Sequence, residues 1–482
     1  MTPLVGGASR RWWILTGAAT GLFILMLDST TLPLALPSIR VELGASTSGL
    51  QWVQNVYLLT IAALVITLGR IGDMLGRKRV FQLGALAFAA GAVVSATADS
   101  VAQLIGGRVV QGVGAAALLS LSLAIATVAF PPAERPRAVG IWAAVSAAAL
   151  AVGPLVGGVA VEVAGWRLIF WLVVPLAALS LAIMAVSAPE SRDETAGRRV
   201  DVPGVVTVTL GLTGVVLALV QGKQWGWDSA GTLGVLAAGL GLLACFWVVE
   251  HHVHEPIMDF HLFRSGPYFG ATAAAFSLVG SFWVLIFYLP QYLELVLGHS
   301  TIASGVLVLP VTAPMVAISP FAGALAARVG ARGLMTVGMG CATAGMLVLT
   351  RVDADSGYTL IFPGLLLFGV ALGLVFATMS TAAMAALPPE KAGIASGVLA
   401  MNRTLAGALL LAAGGALFQH LELEHRRDGA SFDAAFADGL AGCAWLLTAV
   451  LALGTLLTWL YVRSAPPAPA RARVHAARRF HL

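Results

Sequence analysis

Gly69-Arg70-Ile71-Gly72-Asp73-Met74-Leu75-Gly76-Arg77-Lys78-Arg79 lies between two long apolar segments, and a worn copy follows far downstream as Gly323-Ala324-Leu325-Ala326-Ala327-Arg328-Val329-Gly330-Ala331-Arg332. A short basic turn, made tight by glycines and present once in each half of a hydrophobic chain, marks an internal duplication. Repeats in membrane proteins surface in this way, as weak symmetry of loops and hydropathy.

Of the 482 residues, 59% are hydrophobic and 11% charged, against about 25% charged in a soluble domain. A water-soluble fold is excluded. The basic excess, 28 Lys and Arg against 23 Asp and Glu, matters by its placement rather than its sign, and no nucleic-acid partner is expected. Cys245, Cys341 and Cys443 stand singly in different apolar segments, which gives neither a disulfide framework nor a zinc spacing. Arg10-Arg11-Trp12-Trp13 before the first apolar run mimics a signal peptide. That run contains Asp28 and lacks a small-residue cleavage site, so it reads as a retained first span.

Stretches long enough to cross a bilayer, about 20 residues each, fall at 14–36, 50–69, 80–98, 103–129, 138–161, 167–187, 203–221, 231–249, 268–290, 302–326, 333–350, 359–387, 393–418 and 439–462. Backbone polar groups in lipid must be satisfied within their own segment, so the fold is all-α with fourteen helices. Lys and Arg on alternating connections divide twenty to six in favour of the side that holds the termini, which predicts both ends in the cytoplasm of a multi-pass cell-membrane protein. With spans 7 and 8 set aside as an extra pair, twelve remain, and the two basic turns follow the second helix of each six. The expected units are 1–190 as the first six-helix bundle, 191–262 as a charged loop plus two linker helices, and 263–463 as the second bundle. A disordered cytoplasmic tail is expected over 464–482, which contains Pro466, Pro467 and Pro469.

Charges inside the spans carry the chemistry. Asp28 lies midway along the first, where insertion costs about 2.5–3.5 kcal/mol. It is either a structural carboxylate bonded to Ser29, Thr30 or Thr31, or a proton or substrate site that changes charge as access alternates. Pro33 and Pro37 are expected to break the helix beyond it. Arg108, in the fourth span, cannot shed its proton and needs a carboxylate, carbonyls or water. Asp28 and Glu162 are both available partners, and snorkelling toward a helix end is the alternative. Asn402 and Arg403 in the thirteenth span are either backbone anchors or cavity residues, while Glu294 is expected near an interface. Phe23, Met26, Trp142, Trp283, Phe287 and Tyr288 are of the type that lines an apolar cavity or packs helices.

Gly140, Gly153, Pro154, Gly157 and Gly158 give span 5 the small-residue spacing of close helix packing, with a kink. His251, His252, His254, Glu255, Asp259 and His261 cluster in one loop, but no spacing fixes a tetrahedral set, so no metal is expected. No Gly-x-x-x-x-Gly-Lys-Ser/Thr phosphate loop occurs, and Gly222-Lys223 runs into Gln224. No nucleophile, base and orienting group recur in an enzymatic spacing.

Nearly the whole chain resembles the major facilitator superfamily, most closely its fourteen-helix drug:proton antiporter branch. The turn at 69–79 resembles the signature after the second helix. Arg108, Gln111, Gly112 and Gly114 resemble the fourth-helix motif linked to proton coupling. The span 5 glycines with Pro154 resemble the exporter motif, with Ala149 where another glycine is usual. Leu27-Asp28-Ser29-Thr30 and Ala35-Leu36-Pro37 resemble the first-helix motif, with Pro33 in place of asparagine. The resemblance implies a proton-driven exporter of hydrophobic drugs or antibiotics, cationic ones included, with no cofactor beyond the proton gradient and with a monomeric chain in the lipid bilayer. Asp28 and Arg108 would serve proton coupling. Gly69, Asp73, Gly76, Arg77 and Lys78 would serve gating, with Asp73 as a latch absent from the second half, where Ala327 stands. Glu162, Asn402 and Arg403 are the further cavity or coupling candidates. The alternatives on the same fold are a nutrient symporter and a non-transporting sensor.

Overall fold

The computed structural model describes residues 7–192, 201–253, 256–388 and 391–463. Fourteen helices are long and apolar enough to cross a membrane, and no strand occurs among the described residues. They are α1 (Gly7–Leu43), α2 (Thr47–Leu75), α3 (Arg77–Ala96), α4 (Val101–Val128), α5 (Arg135–Ala164), α6 (Arg167–Ser187), α7 (Val202–Trp225) and α8 (Ala230–His252). After a short 3-10 turn at Phe260–Arg264 come α9 (Gly266–Leu295), α10 (Thr301–Val329), α11 (Ala331–Leu349), α12 (Tyr358–Ala385), α13 (Ala392–Arg427) and α14 (Phe432–Tyr461). The expected tail at 464–482 lies outside the described residues.

Internal duplication shows in the packing. Within the first six helices α1 packs on α4, α5 and α6, α2 on α4, and α3 on α4 and α6; within the last six α9 packs on α12, α13 and α14, α10 on α12, and α11 on α12 and α14. The two sets meet through α2 with α13, α5 with α10 and α1 with α9. Helices α7 and α8 form a hairpin whose α7 lies against both α2 and α13, along the seam between the sets.

Helix ends run past the apolar stretches. The span expected at 393–418 continues as helix to Arg427, through Leu421-Glu422-Leu423-Glu424-His425. Hydropathy senses the lipid, whereas helix persists wherever residues favour it, and the basic side chains in this last turn face the carbonyl end of the helix dipole. The break expected at Pro33 and Pro37 does not occur, because α1 runs unbroken to Leu43. Leu32, Leu34, Ala35 and Leu36 around those prolines are wholly buried, so neighbouring helices hold the turn in place.

A candidate coupling and transport site

Ser29, Thr30 and Thr31 turn their hydroxyls back onto the backbone carbonyls of Leu25, Met26 and Asp28 at 2.6, 3.1 and 3.1 Å. They are therefore occupied and do not serve the Asp28 carboxylate. Its partners come from α4. Arg108 donates from one amino group to Oδ2 at 2.5 Å, and Gln111 donates from Nε2 to Oδ1 at 3.1 Å. One helical turn separates Arg108 from Gln111, so both project from the same face of α4 toward α1.

The pair sits in a closed shell. Asp28 is 1% exposed and Arg108 0%. The guanidinium also donates from Nε to the Val53 carbonyl at 3.3 Å and to Gln111 Oε1 at 3.1 Å, and its carbon lies 4.0 Å from the centre of the Tyr57 ring. An arginine that cannot deprotonate is thus balanced by a carboxylate, two oxygens and an aromatic face. Breaking such a pair costs about 3–5 kcal/mol, because the charge left behind has no counterpart. Between the two partners left open by the sequence, the structure selects Asp28 for Arg108. Glu162 is exposed at the end of α5, where Oε2 accepts from the Ile302 backbone N–H at 2.9 Å. It does not line the cavity between the two sets of helices.

That cavity, of about 110 Å³, lies between the two sets of helices. Leu25, Met26 and Ser29 of α1, Ile61 of α2 and Leu150 of α5 form one wall; Phe282 and Trp283 of α9, Met315 of α10, Phe376 of α12 and Arg403 of α13 form the other. It is smaller than the ~300–1,000 Å³ of pockets that hold drug-sized ligands, so the halves must part to admit one. Of the aromatic candidates, Trp283 reaches it, whereas Tyr288 accepts a hydrogen bond from Gln51 and Trp142 donates to Ser122. Asn402 does not reach it either: its amide donates to the Thr272 carbonyl at 2.9 Å and ties α13 to α9. Along α1, Leu25, Met26 and Ser29 face the cavity while Asp28 faces Arg108.

The glycines of α5 serve two interfaces. A Cβ on Gly153 would overlap the Thr30 hydroxyl and one on Gly157 would come 2.9 Å from the Thr31 Cα, so these two let α5 close onto α1. On Gly158 it would meet the Thr301 carbonyl at 2.6 Å, and Gly305 lies against the Pro154 carbonyl, so α5 and α10 nearly touch backbone to backbone. Gly140 has open space around it and no packing role of this kind. Gln51 of α2 adds a second tie between the halves, donating to the Tyr288 hydroxyl of α9 at 2.9 Å and accepting from Gln419 of α13 at 3.2 Å. Gln51, Gln54 and Asn55 form a buried polar run inside α2 that sequence reasoning passed over, although the test that found Asp28 applies equally to them.

The 69–79 turn is pinned within its own half. Asp73 pairs with Arg77 at 2.7 Å. Lys78 donates to the Ala185 and Ala188 carbonyls at 2.8 Å, capping the end of α6. Gly76 has a φ of 125° and Gly330 in the second copy 85°, a left-handed backbone that glycine adopts without strain. Asp259 accepts from the His261 backbone N–H and from Lys391. Partial burial draws its carboxyl up, but Lys391 and His261 outweigh that and hold it below its ordinary value. Among the described residues no three His, Cys, Asp or Glu side chains are placed to hold a metal; His254 and Glu255 lie outside them.

A twofold-repeated helical bundle with a central cavity and a buried ion pair beside it defines a membrane transporter. The chain belongs to the Major Facilitator Superfamily, which matches residues 18–411. It is similar to the tetracenomycin C resistance and export protein of Streptomyces glaucescens, 33% identical over 86% of this chain and 77% of that one. The multidrug resistance protein Stp of Mycobacterium tuberculosis (strain CDC 1551 / Oshkosh) is 34% identical over 83% of this chain and 75% of its own. Among solved structures, the inward-facing, unoccupied form of a bacterial homologue of the human lysosomal transporter Spinster shares the fold, with a TM-score of 0.69 at 17% identity over 96% of this chain and 100% of that one.

Proposed function

We propose that the chain is a proton-coupled exporter of small hydrophobic compounds that works by alternating access, with both termini in the cytoplasm. One observation carries the reading: a single stretch of α1, Leu25 to Ser29, presents Leu25, Met26 and Ser29 to the cavity and Asp28 to Arg108. A change of charge at Asp28 is therefore felt directly at the cavity wall. Protonation would leave Arg108 without its counter-charge in a low-dielectric shell, where that attraction is strong. The α1–α4 contact would loosen and α1 would shift its cavity face. Return of the proton to water on the other side would restore the pair. Export rather than uptake is supported by the similarity to a resistance and export protein and a multidrug resistance protein, and by the glycine-rich α5 that resembles the exporter motif.

Accumulation of fluorescent dyes in a pump-deficient bacterial host tests this. Cells carrying the chain should retain less dye than control cells, and a protonophore should abolish the difference. Greater retention with the chain present would favour a nutrient symporter instead.

A further inference from the structure

We propose that Arg403 makes the central cavity an anion-accepting site, so that the compounds carried are apolar molecules bearing an acidic oxygen, such as a carboxylate or phenolate. The proposal rests on the cavity being the transport site and names the class of compound it takes. Arg403 is the one charged residue of the cavity wall among the described residues. Its guanidinium donates to the Ser380 hydroxyl and lies 4.7 Å from the centre of the Phe376 ring, while its Nε has no hydrogen-bond partner. No ion pair to Arg403 occurs among the described residues.

Arg108, although one of its amino nitrogens also lacks a hydrogen-bond partner, has its charge balanced within the protein by a carboxylate, an amide oxygen, a carbonyl and an aromatic face together. Arg403 has the aromatic face and a hydroxyl but no carboxylate. Among the described residues no carboxylate pairs with Arg403: Asp28 is with Arg108, Glu162 with the start of α10, Glu294 with the Thr301 hydroxyl, Glu250 with the Met258 backbone N–H, and Glu422 lies in the field of Arg40 and Arg426. A cationic compound entering the cavity would meet a permanent like charge in a low-dielectric space, whereas an anionic one would complete the set that Arg403 lacks. Phe282, Trp283, Met26 and Met315 supply the surface for an apolar body.

The test uses the full chain in lipid nanodiscs and three matched probes: anthracene-2-carboxylate, the corresponding carboxamide, and the corresponding methylammonium. Binding is read by quenching of tryptophan fluorescence. The carboxylate should bind at least about tenfold tighter than the ammonium, the scale of a hydrogen bond to a charged group. Arg403→Met should remove that tenfold from the carboxylate and leave the carboxamide within about threefold, which also shows an intact cavity. Arg403→Lys should keep the order of the probes and Arg403→Glu should reverse it. Equal or tighter binding of the ammonium to the unaltered chain overturns the proposal, as does unchanged carboxylate affinity in Arg403→Met or carboxylate binding that survives filling the cavity with Leu150→Trp. If Arg403→Met does not fold, the order of the probes on the unaltered chain decides. The same probes in the accumulation assay keep the two readings apart: anion preference with inward movement removes the export reading and leaves this one standing.

Discussion

Arg108 of α4 and Asp28 of α1 meet at 2.5 Å with both side chains closed off from solvent, and Gln111 holds the second carboxylate oxygen. Since neither charge has another counter-ion among the described residues, loss of one should be felt as instability as well as lost transport. Asp28→Ala should lower unfolding stability by about 3–5 kcal/mol. The double variant Asp28→Asn with Arg108→Gln, which removes both charges and keeps the shapes, should regain most of that stability and no transport. Thermal unfolding in detergent alongside dye efflux reads both. A double variant no more stable than the single would show that the pair is not the unit described.

Gly153 and Gly158 should respond differently to added bulk. Alanine at Gly153 meets a side chain, the Thr30 hydroxyl, so Gly153→Ala should destabilise by about 1–3 kcal/mol. Thr30→Ala should relieve part of that loss. At Gly158 the obstacle is the Thr301 backbone, and no side-chain truncation should rescue Gly158→Ala. Unfolding temperatures of Gly153→Ala alone and with Thr30→Ala, and of Gly158→Ala alone and with Thr301→Ala, separate the cases, and equal rescue at both positions would contradict the account.

The 69–79 turn should behave as a clamp on the end of α6. Lys78→Met removes two bonds to the Ala185 and Ala188 carbonyls. Hydrogen exchange should rise at the end of α6 and leave α10 and α11 unchanged. Gly76→Ala should be worse, since its φ of 125° is unfavourable for alanine and its Cβ would come 2.5 Å from the Glu190 carboxyl carbon. Exchange unchanged at α6 in both variants would remove the clamp.

Much of this was legible in the chain. Apolar runs announced fourteen helices because lipid forces each backbone to satisfy itself, and Asp28 and Arg108 stood out because charge is rare in a span. What the sequence left open was direction around each helix. Nothing in spacing says that Arg108 turns to Asp28 rather than Glu162, or that Asn402 turns to the α9 backbone while its neighbour Arg403 turns to the cavity. Those choices come from packing between helices distant in sequence. The helix ends were missed for another reason: hydropathy marks where lipid stops, and α13 continues beyond it.

The orientation proposed from loop charge can be read directly. In a variant freed of Cys245, Cys341 and Cys443, a membrane-impermeant maleimide added to intact cells should label Asp99→Cys and spare Arg79→Cys, both sites being exposed. The reverse pattern would contradict the placement of both termini in the cytoplasm.

The measurement that tests the central claim most directly is dye transport in proteoliposomes under an imposed pH gradient, comparing the unaltered chain with Asp28→Asn at matched protein levels. The buried pair as coupling element predicts gradient-driven transport in the first and none above control in the second, with dye binding retained in both. Gradient-driven transport undiminished in Asp28→Asn would contradict it.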